Sequence, residues 1–193
     1  PYTTLFRSVS TAVFLLIPRH PQRFDEAAAL LEKAGIATVR WSVLRHNTQP
    51  EQMLAGIKVV LCDTLGEMPF FYAASDVAIV AGSFAPVGGQ NLIEACALGT
   101  PVIVGPHTYN FSEAVTHAVE IGAAAQIQSP DPLDAAQRAV AMAVYWLQDQ
   151  QGLNEKGRLA REWVGQHTGA TTRILQQITE LEAARAQTLP TLH

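Results

Sequence analysis

Residues 77–104 read VAIVAGSFAPVGGQNLIEACALGTPVIV, and their pattern is the clearest indication of the fold. A short apolar run leads into a glycine-rich turn, which is followed by a segment with helical spacing and then by a second apolar run. Short runs without polar residues are typical of strands that are buried on both faces of a parallel sheet. The stretch therefore predicts strands at Val77–Ala81 and Pro101–Val104, with a helix at Asn91–Leu98 between them.

The same alternation of strand and helix continues in both directions from this unit. We predict four further strands, at Val13–Ile17, Ala37–Trp41, Lys58–Cys62 and Ala123–Ile127. Helices are predicted at Phe24–Ala34, Thr64–Ala74 and Phe111–Glu120, and a polar loop is predicted at Arg45–Gln52. Six such alternations indicate an α/β protein with a Rossmann-like, doubly wound parallel sheet of about six strands.

From Asp131 onward the pattern is purely helical, which predicts a C-terminal helical tail with breaks at Gly152, Gly165 and Gly169. The first residues show no periodicity, and the chain begins at Pro1 rather than Met. We therefore expect a fragment in three parts: a segment of uncertain or non-native origin at 1–12, a ligand-binding domain at 13–150 and C-terminal helices at 151–193.

The composition excludes several classes of protein. Of the 193 residues, 48% are hydrophobic and 16% are charged, which excludes a disordered chain. The net charge of -4 disfavours nucleic acid as a partner. Two cysteines, Cys62 and Cys96, are too few for a disulfide framework, and we expect both to be reduced core residues. Residues 46–137 contain one basic residue against nine acidic ones, so an anion bound there must rely on backbone amides or on cations from elsewhere.

Ligands of parallel α/β sheets bind beyond the carboxyl ends of the strands. Four segments that follow predicted strands are expected at this edge, namely 18–21, 63–67, 82–91 and 105–108. The third is the most informative, because Gly88 and Gly89 permit unusual backbone conformations just before a predicted helix start at Asn91. Free amides at that start would form an anion site, but a plain tight turn with a good cap explains the same pattern.

Two residue pairs in these segments fit a capping box, Asn91 with Glu94 and Thr64 with Glu67. Glu94 has a second possible role, which is to accept hydrogen bonds from the two hydroxyls of a ribose. Gly66 would lie in the first turn of its predicted helix, where glycine costs about 1 kcal/mol relative to alanine. A ligand that approaches the backbone closely would explain it.

Arg19 is the only arginine in the four segments. It is either a solvated loop residue or a clamp for a phosphate or carboxylate. His20 and His107 have the spacing of no metal motif, so loop or capping roles are expected for them.

Two stretches of the chain, taken in this order along the sequence, resemble a known family. IPRHPQRF (17–24) and CDTLGEMPFFYAASDVAIVAGSFAPVGGQNLIEACALGTPVIVGPHTYNF (62–111) closely resemble the C-terminal half of the 3-deoxy-D-manno-octulosonic acid (Kdo) transferases of lipopolysaccharide synthesis. The resemblance runs from about Val13 to Ile178. It implies the GT-B arrangement of two facing Rossmann-like domains, in which the C-terminal domain holds most of the sugar nucleotide.

The resemblance also implies a set of binding residues for the CMP of the donor, CMP-Kdo. These are Pro18, Arg19, Leu65, Gly66, Glu67, Asn91, Leu92, Ile93 and Glu94. Additional donor contacts are expected at Ser83, Gly88, Gly89, Gln90 and His107. The position before the asparagine is commonly histidine in the family and is Gln90 here, which keeps a donor and an acceptor but cannot titrate. No cofactor and no metal are implied.

For the whole enzyme, the resemblance implies transfer of Kdo to a lipid A precursor by direct displacement with inversion. The general base is a glutamate of the N-terminal domain, which also makes the membrane contact, so no catalytic residue is expected in this chain. The whole enzyme is expected at the cytoplasmic face of the bacterial inner membrane, and this fragment is expected to be soluble and inactive alone. Two other readings stay open: a UDP-sugar transferase or epimerase of the same fold, and a non-catalytic nucleotide-binding module.

Overall fold

The computed structural model describes residues 12–167 and 174–181. A strand is found at each predicted place: β1 (Phe14–Leu16), β2 (Thr38–Arg40), β3 (Val59–Leu61), β4 (Ala78–Val80), β5 (Val102–Val104) and β6 (Ala124–Gln126). All pairings among them are parallel, with β3 between β1 and β2 and β5 between β4 and β6. The predicted α/β class with parallel strands is confirmed. Hydrogen bonding divides the strands into two three-stranded sheets instead of one continuous sheet of six.

Helices connect these strands and form the tail. They are α1 (Phe24–Lys33), α2 (Trp41–Leu44), α3 (Pro50–Leu54), α4 (Met68–Ala73), α5 (Ile93–Ala97), α6 (Ser112–Glu120), α7 (Pro132–Gln148), α8 (Gln150–His167) and α9 (174–181). Short 3-10 turns lie at Pro21–Arg23, Ala81–Phe84 and Tyr109–Phe111. No helix in the described part of the chain has both the length and the apolar character needed to cross a membrane.

The two central strands form the core, as their uninterrupted apolar runs predict. All three residues of β3 and all three of β5 are buried. In β5, Val102 and Val104 pack in a cluster with residues of α5, α6 and α8, whereas Ile103 packs with α7. Because successive side chains of a strand point to opposite faces, helices cover the second sheet on both sides. Cys62 and Cys96 are fully buried core residues, and burial raises the pKa of each thiol to about 12.

Several predicted boundaries are wrong. Trp41 begins α2 and does not end a strand, and α3 starts inside the predicted loop. Gly152 and Gly165 lie within α8, so the predicted breaks there are wrong. The tail breaks instead at Asp149, whose Oδ1 accepts a hydrogen bond from the Gly152 amide at 2.9 Å. The third predicted break, Gly169, lies outside the described residues.

Candidate functional site

The four predicted segments all follow carboxyl ends of parallel strands. The first two belong to one sheet, since β1 and β3 are neighbours, and the last two to the other, since β4 and β5 are neighbours. Contacts between α4 and α5 join the helices that follow the second and third segments. Tyr72 of α4 is half-buried, and this burial raises its pKa. The charge of the nearby Glu94 raises the pKa of Tyr72 further.

Ser83 ties the third segment to the fourth. Its side chain is fully buried, and its hydroxyl donates to the Val80 carbonyl at 2.5 Å and accepts from the Gly105 amide at 2.6 Å. The Ser83 carbonyl accepts from the His107 amide at 2.9 Å. The Ser83 hydroxyl proton is therefore used in a bond within the protein. Through these bonds, Ser83 fixes the ends of β4 and β5 relative to each other.

Gly88 and Gly89 form the turn before α5, with φ angles of 88° and 77°. Both angles lie in the left-handed region that favours glycine. Space is limited as well, because a Cβ on Gly88 would lie 2.2 Å from the Asn110 side-chain nitrogen, and one on Gly89 would lie 3.2 Å from the His107 carbonyl. The turn is thus packed tightly against residues 107–110.

The start of α5 differs from the predicted capping box. The helix begins at Ile93, two residues later than predicted, and the Asn91 side-chain oxygen accepts from the Ile93 amide at 2.9 Å. Among the described residues no donor is bonded to the Glu94 carboxylate, which is exposed in the first turn. The capping box of Asn91 and Glu94 is therefore wrong, and the carboxylate of Glu94 is left available to a ligand.

The second segment is a loop and not the first turn of a helix. Helix α4 begins only at Met68, after Glu67. Gly66 has a φ of 80°, and no heavy atom lies within 4 Å of the place where its Cβ would be. The left-handed backbone explains the glycine, and the space beside it is open.

Glu67 accepts hydrogen bonds from residues far apart in the sequence. The Trp41 indole N–H and the Arg45 guanidinium each lie 3.2 Å from Oε2, and the Thr64 hydroxyl donates to the same oxygen. The Thr64 bond, the Trp41 bond and the Arg45 charge together lower the pKa of Glu67 against the opposing effect of desolvation.

Asp63 is the second carboxylate of this segment, and its side chain is only 5% exposed. It accepts from the Ser42 amide at 2.8 Å, from the Ser42 hydroxyl at 2.7 Å and from Arg40 at 3.5 Å. Burial works to raise the pKa of Asp63, but the Ser42 bonds and the Arg40 charge lower it below its ordinary value. Together, Asp63 and Glu67 hold α2, the short helix after β2, at the ligand edge.

The sequence of the chain is similar to those of known proteins. No family model matches the chain. It is 52% identical over 168 residues to the 3-deoxy-D-manno-octulosonic acid transferase of Bordetella pertussis, a match that covers 87% of this chain and 37% of the relative. The chain is a homologue of the Kdo transferases. The transferase of Haemophilus influenzae is 33% identical over 174 residues, which cover 90% of this chain and 38% of that protein.

A solved structure shows which part of the Kdo transferases the chain matches. It is similar to the crystal structure of the C-terminal CMP-Kdo binding domain of WaaA from Acinetobacter baumannii, with a TM-score of 0.67 and 27% identity. That match covers 83% of this chain and 77% of the solved chain. The chain thus spans less than two fifths of the length of the two relatives above and matches the C-terminal domain of the family.

The residues that match the Kdo transferase motifs differ in their exposure and in their contacts with the rest of the chain. Arg19 is exposed directly after β1 and has no hydrogen bond or ion pair with the rest of the described chain. Pro18 beside it is half-buried, Leu65 is exposed, and Leu92 is fully buried. Gln90 packs its side chain over Gly82, 3.4 Å from where a Cβ would lie. No group of three metal-ligating side chains occurs within residues 12–167 and 174–181.

Sequence reasoning missed the part of the site that follows β2. Arg40, Trp41, Ser42 and Arg45 reach the second segment, but their sequence has the pattern of a strand end and a loop. One signal was present: the segment after β2, like the other four, had to emerge at the carboxyl edge of a parallel sheet.

Proposed function

We propose that the chain is the donor-binding part of a glycosyltransferase that transfers Kdo from CMP-Kdo to a lipid A precursor. The likeness to a solved CMP-Kdo binding domain carries this proposal. In support, every segment that matches a family motif lies at the carboxyl edge of one of the two sheets. Such an edge is where ligands of parallel α/β folds bind.

Arg19 is the group best suited to the donor's anionic parts. CMP-Kdo carries one phosphate and one sugar carboxylate, so its recognition requires positive charge at the edge. Arg40 and Arg45 are already paired with Asp25, Asp63 and Glu67. Arg19 has no such partner among the described residues, and its planar guanidinium suits a phosphate or a carboxylate.

Glu94 is suited to the ribose of the donor. A carboxylate accepts strongly from two neighbouring hydroxyls, and this one has no donor within the described chain. Asn91 contributes indirectly, because its bond to the Ile93 amide fixes the turn from which Glu94 projects. The open backbone at Gly66 admits a flat ring or a sugar close to the chain.

In the proposed reaction, the bond between the anomeric carbon of Kdo and the phosphate oxygen of CMP breaks. A hydroxyl oxygen of the lipid A precursor attacks the same carbon from the opposite face, and its proton passes to a base. Charge develops on the departing CMP phosphate, and Arg19 stabilises it. The base, the acceptor surface and the contact with the inner membrane are proposed to belong to the other part of a longer enzyme.

Titration calorimetry of the 193-residue chain with CMP, CMP-Kdo and UDP tests the proposal. We expect binding of CMP and CMP-Kdo and much weaker binding of UDP. Tighter binding of UDP would favour a UDP-sugar transferase or epimerase of the same fold. Absence of binding for all three would refute a donor-binding role.

A further inference from the structure

The two oxygens of the Glu67 carboxylate differ in the hydrogen bonds that they accept. The bonds from Trp41, Arg45 and Thr64 all end on Oε2, whereas no donor of the described residues is bonded to Oε1. A carboxylate can accept about four hydrogen bonds over its two oxygens. One oxygen is therefore saturated by the protein, and the other has no partner among the described residues. The preceding residue, Gly66, has open space where a Cβ would stand.

Trp41 is itself held in place, and Arg45 projects from a helix that is held in place. The Trp41 ring packs against Phe70 and Phe71, with centroid distances of 5.2 Å and 5.6 Å. The next residue, Ser42, is fixed by its two bonds to Asp63. Arg45 follows directly after the buried Leu44 at the end of α2, and its own side chain is partly exposed. The backbone that carries both donors is thus fixed by packing and by the bonds to Asp63.

We infer that Trp41 and Arg45, with Thr64, are positioning residues that hold the Glu67 carboxylate so that Oε1 accepts a hydrogen bond from the nucleotide. The partner would be a hydroxyl or an amino group, since only an N–H or O–H group can donate to a carboxylate. This inference rests on the proposed donor-binding function. It extends the site to a segment outside the motifs, because neither Trp41 nor Arg45 belongs to a matched motif.

The alternative is that these bonds only stabilise the fold, and a double-mutant cycle separates the two roles. Trp41→Phe removes the indole N–H and keeps an aromatic ring against Phe70 and Phe71. Arg45→Met removes the charge and keeps the aliphatic stem, and Thr64→Val replaces the hydroxyl at nearly constant volume. Each is made in the wild-type chain and in the Glu67→Gln chain, and the Kd for CMP is measured by calorimetry well below the melting temperature of each variant.

We expect each single substitution to weaken CMP binding by about 2- to 10-fold, the equivalent of one net hydrogen bond. In the Glu67→Gln chain, the same substitutions should have almost no further effect. Arg138→Met is the matched control, because Arg138 forms a surface ion pair with Asp134 on α7 and is expected to leave the Kd unchanged.

The outcomes separate this inference from the proposed function. A wild-type chain that binds no CMP refutes both. A wild-type chain that binds CMP, with variants that bind equally well, refutes only the positioning role. Equal losses in the wild-type and Glu67→Gln chains would also overturn it, since the substitutions would then act through the fold. If Trp41→Phe fails to fold, Arg45→Met and Thr64→Val decide the question.

Discussion

Asp63→Asn should destabilise the protein at neutral pH and much less at acid pH. The Asp63 carboxylate accepts two bonds from Ser42 and faces Arg40 in a nearly buried position. An asparagine keeps one carbonyl oxygen for the Ser42 amide. It turns an NH2 group toward both the Ser42 hydroxyl and the Arg40 guanidinium, and it carries no charge.

The size of the effect follows from the kind of hydrogen bond that is lost. Bonds to a charged group contribute about 1.5–3 kcal/mol and neutral bonds about 0.5–1.5 kcal/mol, so the exchange should lower the free energy of unfolding by about 1–2 kcal/mol at pH 7. For a chain of this size, the melting temperature should fall by about 2–8 °C.

The pH dependence gives the sharper test. The ordinary pKa of the group is 3.8, and it is lowered in the folded protein. A lowered pKa means that the ionised form stabilises the fold above pH 3.8, and that this stability is lost as the pH falls through the lower, folded-state pKa. The wild-type and Asp63→Asn chains should therefore differ at pH 7, and the difference should shrink as the pH falls below 3.8 and through the folded-state pKa.

Thermal and urea unfolding of the wild-type and Asp63→Asn chains, from pH 7 down to below pH 3.8, measure this difference in stability. Asp25→Asn is the matched control, because Asp25 pairs with the same Arg40 at 2.6 Å but is 90% exposed. An exposed pair contributes little, so the control should lose no more than about 0.5 kcal/mol. An Asp63→Asn deficit that is equal at both ends of the pH range, or no larger than that of the control, would refute the reasoning.

Three further predictions concern the proposed donor site. Arg19→Ala should weaken CMP binding by about 10- to 100-fold, as expected for a charge-assisted bond, and an unchanged Kd by calorimetry would restore the solvated-loop reading. Glu94→Gln should lower CMP affinity and leave the melting temperature unchanged, because no capping box is lost; a lower melting temperature with normal affinity would show a purely structural role. The chain alone should bind CMP-Kdo but show no detectable transfer to a lipid A precursor by mass spectrometry. Turnover would place a catalytic base within its 193 residues.

The sequence was sufficient for elements whose structure depends on local pattern. The apolar runs at Val59–Leu61 and Val102–Val104 became buried central strands, and the parallel direction of the strands placed the segments after them at carboxyl ends, as predicted. The existence of most helices was likewise predictable from the spacing of their apolar residues. The errors are concentrated at the ends of elements, where contacts between distant residues decide the structure.

Helix α2 shows why such ends escape prediction. Trp41 and Val43 favour a strand by their propensity. The chain turns into a helix there because Asp63, 21 residues downstream of Ser42, accepts from the Ser42 amide. The Ser42–Asp63 contact is not visible in local sequence. The error at Gly152 is of another kind, because Gly152 was expected to break a helix but lies in the first turn of α8, where its amide donates to Asp149, three residues earlier, at 2.9 Å. A Cβ there would lie 2.2 Å from the other Asp149 carboxylate oxygen.

Helix α5 shows how the tail contributes to the proposed site. A helix of five residues cannot be stable by itself, so its position depends on the groups at its two ends. At the amino end the Asn91 side chain accepts from the Ile93 amide, and Arg161 of α8 donates two bonds, of 2.8 Å and 3.1 Å, to the Leu98 carbonyl just beyond the carboxyl end. Gly157 brings α8 so close to this end that a Cβ there would lie 2.5 Å from the Gly99 carbonyl. The position of Glu94 is therefore set as much by α8 as by the turn that precedes it, and the physical unit that presents Glu94 to a ligand extends into the C-terminal helices.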